Sequence, residues 1–474
     1  MFLRFRIGFT FLLALILSGE GYCQSVEKWN LKACIQYAIE QNPQAAQARL
    51  QLDRNKANLV QTKGNVFPAI NGQANHTYNT GRRIDPYTNQ FANSVVLSQN
   101  FSLSGNVTLF SGLQNTHSIQ AGKFAVQSSK ASNEQTNNDI ALNVANAFLQ
   151  IMLNEELTLI STNQAQLSKQ QAGRLKLLYE AGQITKGDYL QAEAQTATEE
   201  LNQTNARNRL ALSKLTLAQM LNLEQPEGFE IEQPQLNEPL RDLPPLSSVA
   251  IFNQAVDQYP AVRSADLQYL SQEKMLKASR SALSPSLSAF GGIGTGYSQL
   301  SRTQVGSTMQ QQYIGEFQGN PLYIDVQVPV FEKTSFQDQW SQNFNRTVGF
   351  SLNVPIFNNF RTRTQISLQK ISLENARLQK LIARNNLRRD IQTAWFDARA
   401  AYEKYIASDK NVKAQQEAFA YIQQRFDAGA INSFEYHTGK NQLHAAQSNL
   451  AQAKYEYIFR LLVLDFYQGK PIEF

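Results

Sequence analysis

Long stretches of the chain repeat apolar residues at steps of three and four, the spacing of one face of an α-helix. One such set is Ile140, Val144, Ala147 and Ile151. No proline interrupts residues 110–223 or 357–469. We therefore predict unbroken helices over Gly112–Glu180 and Arg361–Asp427, each roughly 100 Å long at about 1.5 Å per residue. Their polar residues predict one face toward water and one toward a neighbouring helix.

Between the helical stretches, apolar residues alternate with polar or small ones, which is typical of β-strands. The alternating residues are Phe101, Leu103, Val107 and Leu109, then Leu287, Ala289, Ile293, Thr295 and Tyr297, then Val348, Phe350, Leu352, Val354 and Ile356. Ala69–Asn79 is a weaker fourth strand. We expect loops that face the outside at Asn79–Asn93 and Thr303–Asn320. Tyr323–Phe331 also alternates and either extends a strand or belongs to the second loop.

The chain contains the same landmarks twice, which indicates an internal repeat. AIEQNP ends at Pro43 and AVDQYP ends at Pro260, 217 residues later. The segments YEAGQI, around Gly182, and FDAGAI, around Gly429, are 247 residues apart. Each half predicts the order helix, β-hairpin, long helix, turn and helix.

Four further residues mark where helix and strand meet. Pro68 in FPAI and Pro285 in SPSL keep the offset of 217, whereas Phe110 and Phe357 show the offset of 247. The two halves therefore differ by one insertion of 30 residues, the difference of the two offsets, between Pro285 and Phe357.

The N-terminus predicts export. Arg4 and Arg6 precede the apolar run Ile7–Leu17, whose 11 residues are shorter than the about 20 needed to cross a bilayer. We expect a signal peptide cleaved after Cys23, with lipidation of that cysteine as a minor alternative. The predicted organisation is a signal peptide at 1–23, a first repeat at 24–223, a proline-rich linker at 224–247 and a second repeat at 248–474.

Four predicted strands cannot form a closed barrel by themselves. No later segment has 18 consecutive apolar residues, so the exported chain would enter a membrane as strands. An open sheet in lipid leaves backbone groups unpaired, and membrane barrels begin at eight strands. Other copies of the chain must supply the remaining strands, and this argument does not fix their number.

Composition and charge point to no particular ligand or metal. The formal charge is +6, and it becomes +5 when the signal peptide is removed. The basic residues between Arg361 and Arg389 suit a solvated helix face, so we expect no nucleic-acid partner. Cys34 is alone in the mature chain, which excludes a disulfide framework or a thiolate metal cluster.

The sequence shows no catalytic, cofactor or metal motif. Of the four histidines, none has the i, i+4 partner of a helical metal pair, and we expect surface or interface positions for His76, His117, His437 and His444. GGIGTG from Gly291 lacks the GxGxxG order and is better explained as small residues of a strand.

In their order, duplication and equal spacing, these landmarks resemble the TolC family of outer-membrane channels, across nearly all of the mature chain. They comprise Pro68, Phe110, Pro285, Phe357 and the turns YEAGQITKGDYLQAEAQ and FDAGAINSFEYHTGKNQ. The resemblance implies an α+β membrane protein that forms a homotrimer. Its four strands per chain would build a twelve-strand transmembrane β-barrel in the outer membrane, and its long helices an α-helical barrel in the periplasm.

The same resemblance implies a function and partners. The chain would be the exit duct of a tripartite efflux pump or type I secretion system, with no enzymatic activity of its own. Its partners would be a periplasmic adaptor (membrane fusion) protein, an inner-membrane transporter of the RND, ABC or MFS type, and outer-membrane lipid. The alternative is a periplasmic coiled-coil scaffold or adaptor, but two matched hairpins with polar loops favour the duct.

By resemblance, the two turns form the periplasmic tip that adaptors contact. The tip residues are Ala181, Gly182, Ala428 and Gly429. A simpler explanation is that any helical hairpin needs a glycine where it reverses, because glycine adopts positive φ at little cost. The two explanations are compatible.

Two carboxylates follow the turn glycines at equal distance, Asp188 after Gly182 and Glu435 after Gly429. By resemblance they would form an acidic ring at a closed entrance and attract cations. Alternatively, both favour the first helical turn near its positive dipole end. Ile431 and Thr438 replace a basic and an acidic residue of the family pattern, so closure would depend less on ion pairs.

Overall fold

A computed structural model describes residues 29–84, 89, 91–92, 95–223, 228–234 and 240–473. The predicted signal peptide and the lipidation alternative at Cys23 lie outside the described residues, as do parts of the first predicted loop and of the linker.

Nine helices occur in the described part of the chain. They are α1 (Leu31–Gln41), α2 (Pro43–Gly64), α3 (Gln114–Glu180), α4 (Lys186–Met220), α5 (Ser248–Ala255), α6 (Pro260–Ser281), α7 (Phe336–Gln342), α8 (Arg361–Asp427) and α9 (Ser433–Tyr467). The two long helices are confirmed, each with 67 residues and each ending at the predicted residue. Within the described residues, no helix combines the length and apolarity required to span a membrane.

The strands lie between α2 and α3 and between α6 and α8. They are β1 (Ala69–Asn79), β2 (Arg83–Ile84), β3 (Phe91–Ala92), β4 (Val96–Phe110), β5 (Ser286–Ser298), β6 (Arg302–Phe317), β7 (Asn320–Lys333) and β8 (Asn345–Asn353). The four predicted strands, β1, β4, β5 and β8, form one antiparallel sheet in the order β1-β4-β5-β8.

The chain divides into two compact units. Unit 1 comprises 1–51, 130–264 and 381–474, and unit 2 comprises 52–129 and 265–380. Each unit therefore takes residues from both predicted repeats.

Unit 1 is a helical body with small residues in its core. Phe148 and Ile151 are fully buried, and alanines such as Ala145 and Ala218 pack beside them. Cys34 lies in the same cluster, and burial raises the pKa of its thiol to about 12. A thiol that stays protonated at neutral pH is unreactive, so Cys34 has the packing role that its neighbours predict.

The described parts of the predicted linker are fixed to unit 1. Ile231 forms a parallel bridge with Trp29. Tyr457 Oη donates to the Arg241 carbonyl at 2.8 Å, and Trp395 Nε1 donates to the Leu246 carbonyl at 2.9 Å. These bonds attach the segment to α9 and α8, so it is more than a flexible connection.

The sheet of unit 2 has one apolar face. Directly opposite residues share a face, and Leu103 pairs with Ile293, Val107 with Ala289 and Ala289 with Phe350. Alternate pairs such as Ser104 with Gly292 lie on the other face. The register thus places most of the predicted alternating residues on one side, but Leu109 lies at a register shift, and Val354 and Ile356 follow the end of β8.

Helix α7 completes the far end of β5. β8 pairs with β5 only as far as Gly294. Beyond it, Asn343 Nδ2 donates to the Gly296 carbonyl at 2.7 Å. The Gln339 side chain accepts from Ser298 N at 2.8 Å and donates to the Ser298 carbonyl at 3.0 Å. Gln339 is 1% exposed, so a buried amide replaces the missing strand.

The insertion forms a long hairpin, and the loop prediction at Thr303–Asn320 is wrong. β6 and β7 pair over their whole length in a separate two-stranded sheet. Gln318 and Gly319 both have positive φ, the two-residue turn that matches the twist of paired strands. Tyr323–Phe331, left open above, is the second strand of this hairpin.

The helix–strand junctions repeat in detail. Pro68 and Pro285 directly precede β1 and β5, and Phe110 is the last residue of β4. Phe357 lies between β8 and α8 with its ring 5.4 Å from that of Phe360. Each long helix is preceded by two consecutive residues of positive φ, and these are Gly112 and Leu113, then Asn359 and Phe360, 247 positions later.

We expect Gly112→Ala to destabilise the protein by about 2 kcal/mol. Gly112 has a φ of +61°, and a Cβ there would lie 2.6 Å from the Ser284 Cβ and 2.8 Å from the Ser281 carbonyl oxygen. Gly64→Ala is the matched control, since a Cβ there meets no atom within 4 Å. Thermal unfolding of the purified protein, followed by circular dichroism, measures the difference. Equal transition temperatures for the two variants would contradict the junction analysis.

Candidate functional site

The two predicted turns have the same hydrogen-bonded geometry. After α3, Gly182 has a φ of +71°, and its N–H donates to the Tyr179 carbonyl at 2.9 Å while Gln183 N donates to Leu178. After α8, Gly429 has a φ of +70° and makes the equivalent bond to Phe426, also at 2.9 Å. Both are Schellman caps, in which glycine supplies the left-handed residue.

The tip residues predicted from sequence are accessible. Ala181 and Gly182 are exposed, as are Ala428 and Gly429. A Cβ at either glycine would meet no atom within 4 Å, so backbone conformation alone requires glycine there. At these four positions the turns therefore offer backbone and methyl groups to a partner.

The two candidate carboxylates differ in their local bonding. Asp188 belongs to a capping box, because its Oδ2 accepts from Thr185 N at 3.2 Å and from Thr185 Oγ1 at 2.7 Å. Glu435 donates its backbone N–H to Asn432 Oδ1 at 2.9 Å. Its carboxylate is exposed and has no bonded partner among the described residues. Both carboxylates lie in the first turn of a helix, near its positive dipole end, and only that of Asp188 also has a hydrogen-bonded partner among the described residues.

An aromatic pair closes each turn. Tyr179 and Tyr189 stack with ring centroids 5.8 Å apart, and Phe426 and Tyr436 stack at 4.5 Å. The two pairs are related by the offset of 247. The sequence signal was present as an aromatic residue at the start of each turn motif, but the motif alone does not show its partner.

The two hairpins also contact each other near the turns. Arg174 Nη1 lies 2.6 Å from Asp427 Oδ1, which joins α3 to α8. A cavity of about 210 Å³ beside this pair is lined by Leu167, Tyr436 and Phe426, among others. Because the ion pair is half exposed, it contributes at most about 1 kcal/mol.

A buried lysine lies between the hairpins, and no pattern in the sequence predicted it. Lys440 on α9 is 2% exposed. Its Nζ donates to Ser168 Oγ at 2.6 Å and to the Gln164 carbonyl at 3.5 Å, both on α3. Glu199 on α4 is 4% exposed and accepts bonds from Gln195 and Asn202. No carboxylate in the described part of the chain reaches ion-pair distance of Lys440 Nζ.

Burial dominates the titration of this cluster. It lowers the pKa of Lys440 to about 8, against a smaller opposing effect of Glu199. Burial and then the Lys440 charge lower the pKa of His437, whose two ring nitrogens have no partner among the described residues. The pKa of His444 is lowered too, mainly by burial. His437 is 8% exposed, so of its two predicted positions, surface or interface, the surface position is wrong.

The remaining candidates show no binding chemistry. Gly291 and the rest of GGIGTG lie in β5, as the strand interpretation predicts. Among the described residues, no group of three or more potential ligands is placed to hold a metal ion.

A duplicated chain with two capped helical hairpins and one four-stranded sheet defines the class of outer-membrane channel subunits. The family model described as "Outer membrane efflux protein" matches residues 34–223 and 251–469. The chain therefore belongs to the outer membrane efflux protein family, and its place is the outer membrane of a Gram-negative cell. Membership favours the duct over the scaffold alternative.

Individual proteins agree with this assignment. The outer membrane efflux protein BepC of Brucella suis biovar 1 (strain 1330) is 22% identical over 448 residues, 94% of this chain and 86% of that protein. The structure of VceC from Vibrio cholerae has a TM-score of 0.74 at 14% identity and covers 94% of this chain and 97% of that chain. The Campylobacter jejuni CmeC outer membrane channel has a TM-score of 0.70 at 15% identity, with coverage of 94% and 87%. At these identities the structural likeness concerns the fold.

We expect Lys440→Met to stabilise the protein near neutral pH by about 1–3 kcal/mol. The variant removes a buried charge whose cost is about 1.4 kcal/mol for each unit by which the pKa is lowered. The loss of the hydrogen bond to Ser168 offsets part of this gain. The ordinary lysine pKa is 10.5, so wild-type stability should rise between pH 8 and pH 10.5 as Lys440 loses its charge. The advantage of the variant should shrink over the same interval. Thermal unfolding at pH 7, 9 and 10.5 measures this.

The control is Lys176→Met, which removes an exposed lysine of α3. Its effect should be small and independent of pH. A Lys440→Met variant that is less stable than wild type at pH 7 would show that the buried charge is compensated.

Proposed function

We propose that three copies of the chain form an exit duct that conducts substrates passively from an inner-membrane transporter to the exterior. The observation that carries this proposal is the sheet β1-β4-β5-β8, in which the outer edges of β1 and β8 have no partner among the described strands. Three copies would supply twelve strands and close a barrel, which leaves no edge exposed to lipid. The long polar hairpins of unit 1 would form the helical barrel in the periplasm.

In this proposal an adaptor protein binds the two turns, and the adaptor connects the duct to a transporter of the RND, ABC or MFS type. The support is geometric. Ala181 and Ala428 are exposed, adjoin rigid glycine caps and occupy equivalent positions of the repeat. Two equivalent docking points per chain would give six around a trimer, which suits an adaptor present in several copies.

The docking proposal predicts that cysteines at the turns cross-link to an adaptor. Ala181→Cys and Ala428→Cys, treated in intact cells with a short bis-maleimide, should give a covalent product containing a periplasmic adaptor. Cys34 should stay unmodified, since burial raises its pKa to about 12. The control is Leu159→Cys, an exposed position of α3 that is 61% accessible and about 33 Å along the helix from Ala181.

Mass spectrometry identifies the product. Equal yields from the turn positions and from Leu159→Cys would contradict docking at the turns.

The carboxylate ring predicts a change in ion selectivity. If Asp188 and Glu435 line the entrance, Asp188→Asn with Glu435→Gln should reduce the cation preference of single channels in planar bilayers. Glu435→Gln alone is the cleaner probe, because its carboxylate has no partner among the described residues. Asp188→Asn also weakens a helix cap by up to about 1 kcal/mol.

Glu200→Gln, an exposed carboxylate of α4, is the matched control. The ring proposal fails when the double variant keeps the cation preference and the multivalent-cation block of wild type. Purified protein that forms no conducting channel at all would overturn the duct itself.

A further inference from the structure

Three exposed aromatic residues lie at the far end of the four-stranded sheet, and we call them the aromatic cluster. Phe336 and Trp340 belong to α7, and Phe344 follows it. Their exposed fractions are 47%, 44% and 42%. Exposed apolar side chains that are grouped together, unlike scattered ones, mark a surface of contact.

The aromatic cluster lies on the apolar face of the sheet. The Trp340 ring is 5.2 Å from that of Phe101, and the Phe336 ring is 5.6 Å from that of Tyr297. The register puts Phe101 and Tyr297 on the same face as Leu103, because alternate residues of a strand share a side. Helix α7 therefore extends the apolar face of the sheet.

The opposite face of the sheet is polar along three of its strands. Its residues there are Asn71, Gln73, Asn75 and Thr77 on β1, Ser98, Asn100, Ser102, Ser104 and Asn106 on β4, and Asn345, Thr347, Gly349 and Ser351 on β8. On β5 the same face carries Phe290 among serines and glycines. In membrane barrels apolar side chains face lipid and polar ones face the interior. In the proposed trimer, the apolar face and α7 thus face lipid.

Arg346 shows how far the hydrocarbon extends along this face. It pairs with Ile293, which places it on the apolar face, and its guanidinium lies 5.1 Å from the centre of the Phe344 ring. An arginine on the lipid face of a barrel is costly at the bilayer midplane and nearly without cost at the interface. At the interface its guanidinium reaches phosphate groups, which it binds well. Arg346 therefore belongs at the level of the lipid headgroups.

The length of the apolar face agrees with this level. Ile356, which is 94% exposed, follows β8 and is 10 residues after Arg346. At about 3.3 Å per residue and a strand tilt of about 40°, this length rises about 25 Å, the height of the apolar band of membrane barrels. Trp340 contacts the sheet just beyond, at Thr295, whose Oγ1 donates to the Trp340 carbonyl at 2.8 Å. Tryptophan and tyrosine are enriched at that depth in membrane proteins.

The other side of α7 is polar. Asp338 and Ser341 are exposed, and helical periodicity turns both away from Phe336 and Trp340. A helix with one aromatic side and one polar side suits the plane of a membrane interface. Another copy of the chain is a poorer cover, because copies in the proposed barrel join through the edges of β1 and β8, whereas the aromatic cluster lies on a face of the sheet.

We propose that α7 lies in the headgroup region of the outer leaflet, with the aromatic cluster toward the acyl chains and Arg346 on a lipid phosphate. Both long helices follow the opposite ends of β4 and β8, so the end that carries α7 is the one directed to the exterior. The helix would fix the depth of the sheet in the membrane. This inference rests on the proposed duct, and it adds a lipid contact outside the strands.

The fluorescence of Trp340 tests this contact in the full-length protein. The chain has three tryptophans, so subtracting the emission of Trp340→Phe from that of wild type isolates the signal of Trp340. In phosphatidylcholine vesicles, a spin label at carbon 5 of the acyl chain should quench this signal at least about two-fold more than a label at carbon 12.

Two variants in the Trp340→Phe background are matched controls. Phe350→Trp places the fluorophore in the middle of the apolar face, where the native side chain is 71% exposed, so the deeper label should quench it more. Ser341→Trp is the next residue of α7 and lies about 100° further around the helix. It should be quenched mainly by aqueous iodide.

The quenching pattern separates failure of this contact from failure of the duct. A Trp340 signal that responds only to iodide shows a helix in water, one that no quencher reaches shows a protein cover, and one quenched more by the deeper label shows a helix in the hydrocarbon. Each would overturn the headgroup contact and leave the duct intact, provided that lipid quenches Phe350→Trp. If lipid quenches neither position, the sheet is outside the membrane and the proposed function fails as well.

Arg346 gives a second, independent readout. A spin label on the headgroup of phosphatidylglycerol should quench Trp340 about two-fold more than the same label on phosphatidylcholine, because the guanidinium attracts the anionic lipid. Arg346→Gln should abolish this excess. Arg361→Gln, an exposed arginine at the opposite end of the sheet, should keep it. An excess that persists in Arg346→Gln would overturn the assignment of Arg346 to a lipid phosphate.

Discussion

The need to pair backbone N–H and C=O groups governs most of this structure. A sheet of four strands has two open edges, and water or protein must satisfy the groups on them. At the far end of β5 the chain solves this with α7 and the residue that follows it: Gln339 bonds the backbone of Ser298, and Asn343 bonds the Gly296 carbonyl. Strands β1 and β8 have no such cover among the described residues, and their open edges make other copies of the chain necessary.

Duplication explains why the two helical hairpins have equivalent hydrogen bonds and ring contacts. Caps, aromatic pairs and residues of positive φ recur at an offset of 247, so both halves solved the same turn in the same way. The duplication does not extend to the residues that pack between the two hairpins. Lys440 corresponds to Glu193 in the first half, which is exposed, so the buried lysine belongs to the second hairpin alone.

Local patterns predicted most of the helices and strands, but they could not predict contacts between residues that are far apart in the sequence. The ends of α3 and α8 were predictable because a glycine with positive φ stops each helix at Gly182 and Gly429. β6 was missed because the glutamines of Gln310–Gln312 hide its alternation. Lys440 and Ser168 are 272 residues apart, and no periodicity relates them. The sequence also could not show that the Asp188 carboxylate bonds Thr185, while the Glu435 carboxylate has no bonded partner among the described residues.

The magnitudes show what the buried lysine contributes to the contact between α9 and α3. A lysine whose pKa falls from 10.5 to about 8 costs about 3 kcal/mol while it stays charged and buried. The half-exposed pair of Arg174 with Asp427 returns at most about 1 kcal/mol. The stacking of Phe426 on Tyr436 adds about 1 kcal/mol within the second hairpin, but this does not attach α9 to α3. Since separation of α9 from α3 would hydrate Lys440, the buried charge lowers the cost of separating these two helices at neutral pH.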